Sequence, residues 1–545
     1  MKASIASLSI GRSPAVASSV FIWAGLAICA ALQLHLVFTQ PVNWDEFRFL
    51  SDIYAYRDGS LSTVVQTFHV HLFGWLAGSF ADEIDQVIAG RLVMMALEGV
   101  TLALIFRICR CFTSREAALF AVLAFLSFSF VLKHGASFRY DPIATALLTG
   151  AAAILLTSRL HWVSVISAGA AIGLAAIVTI KSVLFLPLFA GLAGWRLWKG
   201  EHRRDLLIRL TVMGLTSAGV LLLLYIGHRN SMLILDDAQA AVAGSAQKTL
   251  GEGRLFPRYL DFARSVMANP IHWVLLVLGV VSAIRQRLWI GLAFLLPLAS
   301  LIFYRNAFPY FYGFMLAPAS VFFAMAVSRL DLARFLTGLS AALTALAMMH
   351  SVLLASPALG NQRTVLAAAR SIFPAQTAYV DRASMLASTP QAGFFMSSWG
   401  IENYRAAGEP LMRNAIADKG ARYLIANHPQ LELALSGSEN VLLPDDAYVL
   451  HIGFIPHWGP IWVLGTQLSA SNIRQQFEIF ASGAYTIEGK GPVRIDGVLR
   501  QPGEVVSLDV GEHMALAPSA ATLRWGDHLH RPVMPPPSGP LFTDL

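Results

Sequence analysis

The sequence predicts a polytopic α-helical membrane protein carrying a C-terminal tail of mixed α/β and β structure. Three observations predict it. Of the 545 residues, 56% are hydrophobic and only 13% charged, with a mean hydropathy of +0.58. A soluble chain of this length carries about a quarter charged residues, because polar groups must cover its surface. The apolar residues also gather in runs that suit a bilayer, which takes about 20 residues per helix and about 17 at the short end. Finally, every second connection between these runs is basic, the mark of cytoplasmic loops.

Eleven runs qualify as spans: 17–38, 88–106, 114–132, 142–158, 161–180, 182–198, 207–227, 270–284, 288–303, 309–327 and 335–355. The first is too long for a signal-peptide core and ends in no small-residue cleavage site, so it is read as retained. Lys2 and Arg12 precede it and place the N-terminus in the cytoplasm. The 270–284 run is short and also fits a re-entrant segment. The basic connections hold Arg107, Arg110 and Arg115; Arg159; Arg196, Lys199, Arg203, Arg204 and Arg209; Arg285 and Arg287; and Arg329 and Arg334. An odd number of spans then puts residues 356–545 outside the cytoplasm, on an inner (plasma) membrane protein. The net charge of +7 resides largely in these loops, which argues against nucleic-acid binding. Cys29 lies in the first run and Cys109 and Cys111 in a basic loop. The tail therefore has no disulfide framework, and the Cys-x-Cys pair lacks the second ligand pair of a metal site.

Three outer regions exceed simple turns: 39–87, 228–269 and the tail. Segments 47–57 and 62–80 have the aromatic and charged mixture, or the helical spacing, of helices lying in the membrane interface; a small packed loop domain fits equally. The tail divides into an α/β region at 356–470 and a β-module at 471–545. In the first, a helix around 409–418 alternates with strands such as 423–425 and 461–464. In the second, period-two segments at 484–487, 493–495 and 505–510 are separated by Gly and Pro. The Pro535-Pro536-Pro537 end is expected to be disordered.

Candidate chemistry collects at the outer ends of the spans. Asn43-Trp44-Asp45-Glu46 follows the first run. Asn43 and Glu46 make a capping box, which leaves Asp45 without a structural task. A carboxylate there suits deprotonation of an acceptor hydroxyl. In Arg139-Tyr140-Asp141-Pro142, Asp141 reads as a helix N-cap with Pro142 at the first helical position. Arg139, Lys181 and Arg305 are basic on the side where the orientation rule asks for no positive charge. A lone cation near a helix end often snorkels. Three facing an acidic motif suit a phosphate held at headgroup level. His69 and His71 point apart if helical; on an extended segment the pair can join a site. Asp45 and Glu46 allow a divalent metal but do not require one.

In order and sidedness these motifs resemble the GT-C membrane glycosyltransferases, the group holding the protein O-mannosyltransferases and the aminoarabinose transferase of lipid A. The likeness covers about residues 15–355. Asp45-Glu46 matches the acidic motif opening the first outer loop, and His69-Val70-His71-Leu72-Phe73-Gly74 partly matches its Pro-rich His motif, without the prolines. Arg139-Tyr140-Asp141 matches the entry to the fourth span, and 304–318, with Tyr310, the late aromatic segment. The β-module looks like a carbohydrate-binding or PEGA-type fold.

The resemblance implies transfer of a sugar from a polyprenyl-phosphate donor to an extracytoplasmic lipid, glycan or protein acceptor. Asp45, with Glu46, would be catalytic; Arg139, Lys181 and Arg305 would hold the donor phosphate; His69, His71, Asp141 and Tyr310 would shape the site or meet the acceptor. Two rival classes are a lipid or solute transporter or flippase, and a non-catalytic envelope-assembly protein. A transporter brings ionisable or broken-helix elements to mid-membrane, whereas here charge collects at one face. An assembly protein would not need Asp45.

Overall fold

A computed structural model of the chain describes residues 14–199, 202–234, 255–328, 333–374 and 376–543. The elements used below are α1 (Pro14–Thr39), α2 (Trp44–Arg57), α3 (His69–Phe73), α4 (Glu83–Cys109), α5 (Arg115–Leu126), α6 (Ser129–His134), α7 (Tyr140–Thr157), α8 (Trp162–Val178), α9 (Leu186–Lys199) and α10 (Arg203–Asn230).

Among the described residues, six helices are long and apolar enough to cross a membrane, or eight if each of two bent helix pairs is one span. The eleven apolar runs are helical, but not all as single rods. Run 114–132 is split into α5 and α6, α8 has 17 residues, and run 288–303 forms a five-residue helix and a short 3-10 segment. Hydropathy locates an apolar run but does not mark where its backbone turns. The break between α5 and α6 shows how such a turn is tolerated. Asn269, at a 97° bend between helices Tyr259–Ala268 and Pro270–Arg285, accepts from the freed Ser129 N–H at 2.8 Å. Its amide donates to Ser129 Oγ at 2.8 Å. One bend thus satisfies another, as backbone in a low-dielectric interior requires. Residues 235–254 of the expected 228–269 loop, Arg329 and the Arg334 side chain lie outside the described residues.

The first loop is a packed unit rather than a pair of interfacial helices. Phe47, Phe49, Leu50 and Ile53 of α2 are buried in one core with Tyr379, Tyr423 and Ile461 of the tail. In 62–80 only α3 and the 3-10 turn Gly74–Leu76 are helical.

The tail begins with helix Ala358–Ile372. Its main sheet has the order β1 (Ala378–Val380), β2 (Ala421–Ile425), β4 (Ile461–Leu468), β11 (Ala521–Trp525), β6 (Gly483–Gly489), β9 (Val505–Leu508), with β3 (Phe454–Trp458) also on β4. A second, four-stranded sheet has the order β5 (Ser471–Ile479), β10 (Gly511–Ala517), β7 (Val493–Ile495), β8 (Val498–Arg500). The expected strands are present. The expected division near 470 is crossed, however, by the antiparallel pair β4–β11 from Ala521↔Leu468 to Arg524↔Gly465. The Pro-rich end is also ordered, contrary to expectation. Trp458 Nε1 donates to Met534 O at 3.1 Å, and Gln362 Nε2 to Leu541 O at 2.8 Å. Phe542 meets Trp44 and Phe47 edge-on. Buried contacts at the far end fix a segment whose composition alone suggests disorder.

The tail is tied to the bundle by charge as well. Arg363 bonds Asp82 at 2.9 Å and Asp85 at 2.6 Å, and Arg370 pairs with Glu83, all three acids standing at the start of α4 where a helix N-terminus favours anions.

Candidate active site at the tail end of the bundle

Helix α2 starts as its sequence requires. Asn43 Oδ1 accepts from Asp45 N–H at 2.9 Å, and Glu46 reaches back to accept from Asn43 N–H at 2.9 Å. The structure adds a second task for Glu46. Its carboxylate accepts from Arg91 Nε and from Phe138 N–H, each at 2.8 Å, and the residue is 1% exposed. Burial pushes its pKa up, but Arg91 and the backbone donors outweigh this and hold it below the usual range. Arg91 also donates to the carbonyls of Val37, Gln40 and Pro41. Glu46 therefore clamps α2 to α1 and α4; it does not line the cavity beside Asp45, where a catalytic role was expected of it.

Asp45 takes the opposite side of the same turn. It bonds Arg139 Nη1, and its side chain keeps 25% exposure. Arg139, just before α7, donates through Nε to Asp141 Oδ2 at 3.3 Å and lays its guanidinium 3.6 Å from the centre of the Tyr310 ring. Burial lowers its pKa, but Asp45, Tyr310 and Asp141 together raise it well above normal. Lys181 lies in the 3-10 turn Ile180–Phe185 and donates to Asp141 Oδ1 at 2.7 Å. Asp141 was expected as an N-cap. Instead α7 begins at Tyr140, and the Asp141 carboxylate bridges the two cations. Two acids and two bases form one neutral, alternating chain: Asp45, Arg139, Asp141, Lys181.

This chain borders a cavity of about 410 Å³, lined by Asp45, Arg139, Lys181 and Tyr310 from the bundle and by Arg382 and Trp399, among others, from the tail. Four predicted site residues thus come together there, with Asp141 bonded to two of them. Others do not. Arg305 turns to the tail, pairing with Glu402 at 2.7 Å and lying 4.6 Å from the Trp399 ring centre. His69 is buried, stacks on Phe49 and bonds Phe49 O at 2.9 Å; desolvation lowers its pKa to about 3 and keeps it neutral. His71 bonds His228 at 2.8 Å. The two histidines point apart, as helical spacing demands, and neither lines the cavity.

The tail residues were missed. Arg382 sits 3.9 Å from the Trp44 ring centre, and Trp399 Nε1 donates to Asn306 Oδ1 at 3.0 Å. No local motif connects positions more than 90 residues apart.

A metal shared by Asp45 and Glu46 does not fit, because both Glu46 oxygens serve Arg91 and backbone donors. Among the described residues, no group of three or more His, Cys, Asp or Glu is placed to hold an ion.

No family model matches the chain, and no curated protein matches it by sequence. Solved structures do. ArnT from Cupriavidus metallidurans in the apo state matches at a TM-score of 0.52 and 15% identity, covering 77% of this chain and 94% of that one. The same protein bound to undecaprenyl phosphate matches at 0.51 and 14%, with the same coverage. The chain shares the fold of these ArnT structures, and among its described residues six helices, or eight if each bent pair is one span, are long and apolar enough to cross a membrane.

Proposed function

We propose that this chain is a membrane glycosyltransferase that moves a sugar from a polyprenyl-phosphate donor to an acceptor outside the cytoplasm. The observation that carries the reading is the half-open Asp45 carboxylate, bordering a cavity together with Arg139 and Lys181. That the similar ArnT structure holds undecaprenyl phosphate supports the donor class.

In this reading the donor lies with its prenyl chain in the bilayer and its phosphate against Arg139 and Lys181. Charged hydrogen bonds of this kind favour phosphate. The phosphate competes with Asp45 for Arg139 and so frees the carboxylate. Asp45 takes the proton of the acceptor hydroxyl, the acceptor oxygen bonds to the anomeric carbon, and the bond from that carbon to the phosphate oxygen breaks. The electron pair leaves with the phosphate, whose added charge Arg139 and Lys181 stabilise. Direct displacement inverts the anomeric centre. Asp141 holds both cations in place, and Tyr310 covers the Arg139 guanidinium. The basic-loop pattern supports a cytoplasmic N-terminus and an extracytoplasmic tail in the inner membrane.

The test uses purified protein in nanodiscs with membrane-lipid extract and envelope acceptors. Mass spectrometry should show a polyprenyl-phosphate sugar consumed and free polyprenyl phosphate released as an envelope glycan, lipid or protein gains mass. A wild-type protein that neither binds nor consumes any lipid-linked sugar overturns the reading.

A further inference from the structure

A second cavity, of about 930 Å³, lies between α2 and the following 57–63 segment on one side and tail residues 376–395 with Lys419 on the other. Phe395 lines both cavities. Helix α2 serves both because Asp45, Arg48 and Asp52 stand at i, i+3 and i+7, on one helical face. Asp45 borders the first cavity; Arg48 and Asp52 border the second.

The facing wall is a fixed loop. Asp381, fully buried at the end of β1, accepts from the backbone N–H groups of Ser384 at 2.7 Å, Met385 at 3.0 Å and Ala383 at 3.1 Å. Asn427 Nδ2 adds a bond at 3.0 Å. A carboxylate saturated by donors pins the chain that leads to Phe395.

The lining chemistry selects a ligand class. Among its basic groups, Arg48 pairs with Asp52 at 2.8 Å, Arg57 donates to Ala77 O at 3.2 Å and Lys419 to Ala392 O at 3.2 Å, so each already has a protein partner. An acyl chain wants apolar walls, whereas this cavity presents hydroxyls such as Ser60, Thr63 and Thr389. Phe394 and Phe395 supply aromatic rings, Phe394 with one face already stacked on Tyr404. Hydroxyls and a paired acid and base can bond vicinal diols, and an aromatic face packs against the C–H side of a sugar ring. The volume is at the upper end for small-molecule sites. We infer that this cavity binds the acceptor as a polyhydroxylated glycan, whose reactive hydroxyl passes Phe395 to reach Asp45. The inference rests on the glycosyl-transfer reading and narrows its acceptor.

The experiment blocks the cavity after folding. Cys29 and Cys109 are buried and Cys111 is exposed, so Thr389→Cys is made in a Cys111→Ser background and coupled to a bulky maleimide. The probe is the fluorescently labelled glycan fraction released from the source envelope by mild acid. The uncoupled protein should retain this probe, and coupling should weaken retention at least tenfold while binding of the lipid-linked donor stays unchanged. Asp52→Asn should weaken probe retention several-fold. Unchanged probe retention and transfer after coupling overturns the inference, as does an uncoupled protein that retains no probe. Probe retention lost on coupling, in a protein that consumes no lipid-linked sugar, would keep the glycan site and sink the transfer reading instead.

Discussion

Asp45 and Glu46 are adjacent in the chain, and each bonds an arginine, yet the regions they enter differ in kind. Glu46 enters a closed cluster: its oxygens and the Arg91 guanidinium are saturated by each other and by backbone groups. Asp45 enters an open one, where Arg139 is shared with Asp141 and the carboxylate keeps a face on a cavity. Closed ion pairs hold structure because removing one partner strands the other. An open pair can exchange one partner for a ligand. The difference shows that a carboxylate's role at a helix start follows from which side of the first turn it leaves, a matter of a 100° step between neighbours.

The largest effect tests the open side. Asp45→Asn keeps size and shape but cannot take a proton at neutral pH. Loss of a general base typically costs about 10²–10⁴ in rate. Transfer by the purified variant should fall by that factor, with expression normal and donor still bound. A wild-type rate would remove Asp45 from the role of base.

Next comes the closed side, where stability should fall rather than turnover per folded molecule. Glu46→Gln preserves the capping geometry but leaves buried Arg91 without its anion, at a cost of about 3–5 kcal/mol. Thermal unfolding in detergent should show it. The pH response provides a second signature. The folded Glu46 pKa is depressed, so its contribution is present above the unfolded value, about 4.3, and is lost as pH falls through the folded one. Wild-type protein should therefore lose this increment only below about pH 4.3, and the Gln variant should lack that step.

Lys181→Ala gives a smaller change, in donor affinity. A hydrogen bond to a charged group contributes about 1.5–3 kcal/mol, so binding of a prenyl-phosphate sugar should weaken roughly 10- to 150-fold. Lys181→Arg should restore part of it, because a point contact needs charge more than fork geometry. Unchanged affinity in the folded alanine variant would make Lys181 merely a partner of Asp141.

These residues also mark how far the sequence was legible. The capping box, the acid left over from it and the cations at the wrong helix ends are local signals, readable from spacing and sidedness. They led to Asp45, Arg139 and Lys181. The role of Glu46 was not readable, because Arg91 lies 45 positions away on another helix. Nor was the tail's share of both cavities, which depends on how helix Ala358–Ile372 and the C-terminal end dock on α2 and α4. Composition showed the Pro-rich end as featureless because its order comes from distant partners.

Arg305 provides the smallest and most discriminating test. Sequence placed it with Arg139 and Lys181 as a third phosphate ligand. Its guanidinium instead pairs with Glu402, whose side chain is 46% exposed, and overlies Trp399, which does line the cavity. Partly exposed pairs of this sort contribute about 0–1 kcal/mol, since solvent screens them. Removing the cation should disturb only the seating of Trp399. Arg305→Ala should thus change donor affinity by no more than about fivefold, against the larger loss in Lys181→Ala, measured in the same nanodisc assay. A loss equal to that of Lys181→Ala would mean that Arg305 leaves Glu402 to hold the phosphate, and the open cluster would then extend to the tail.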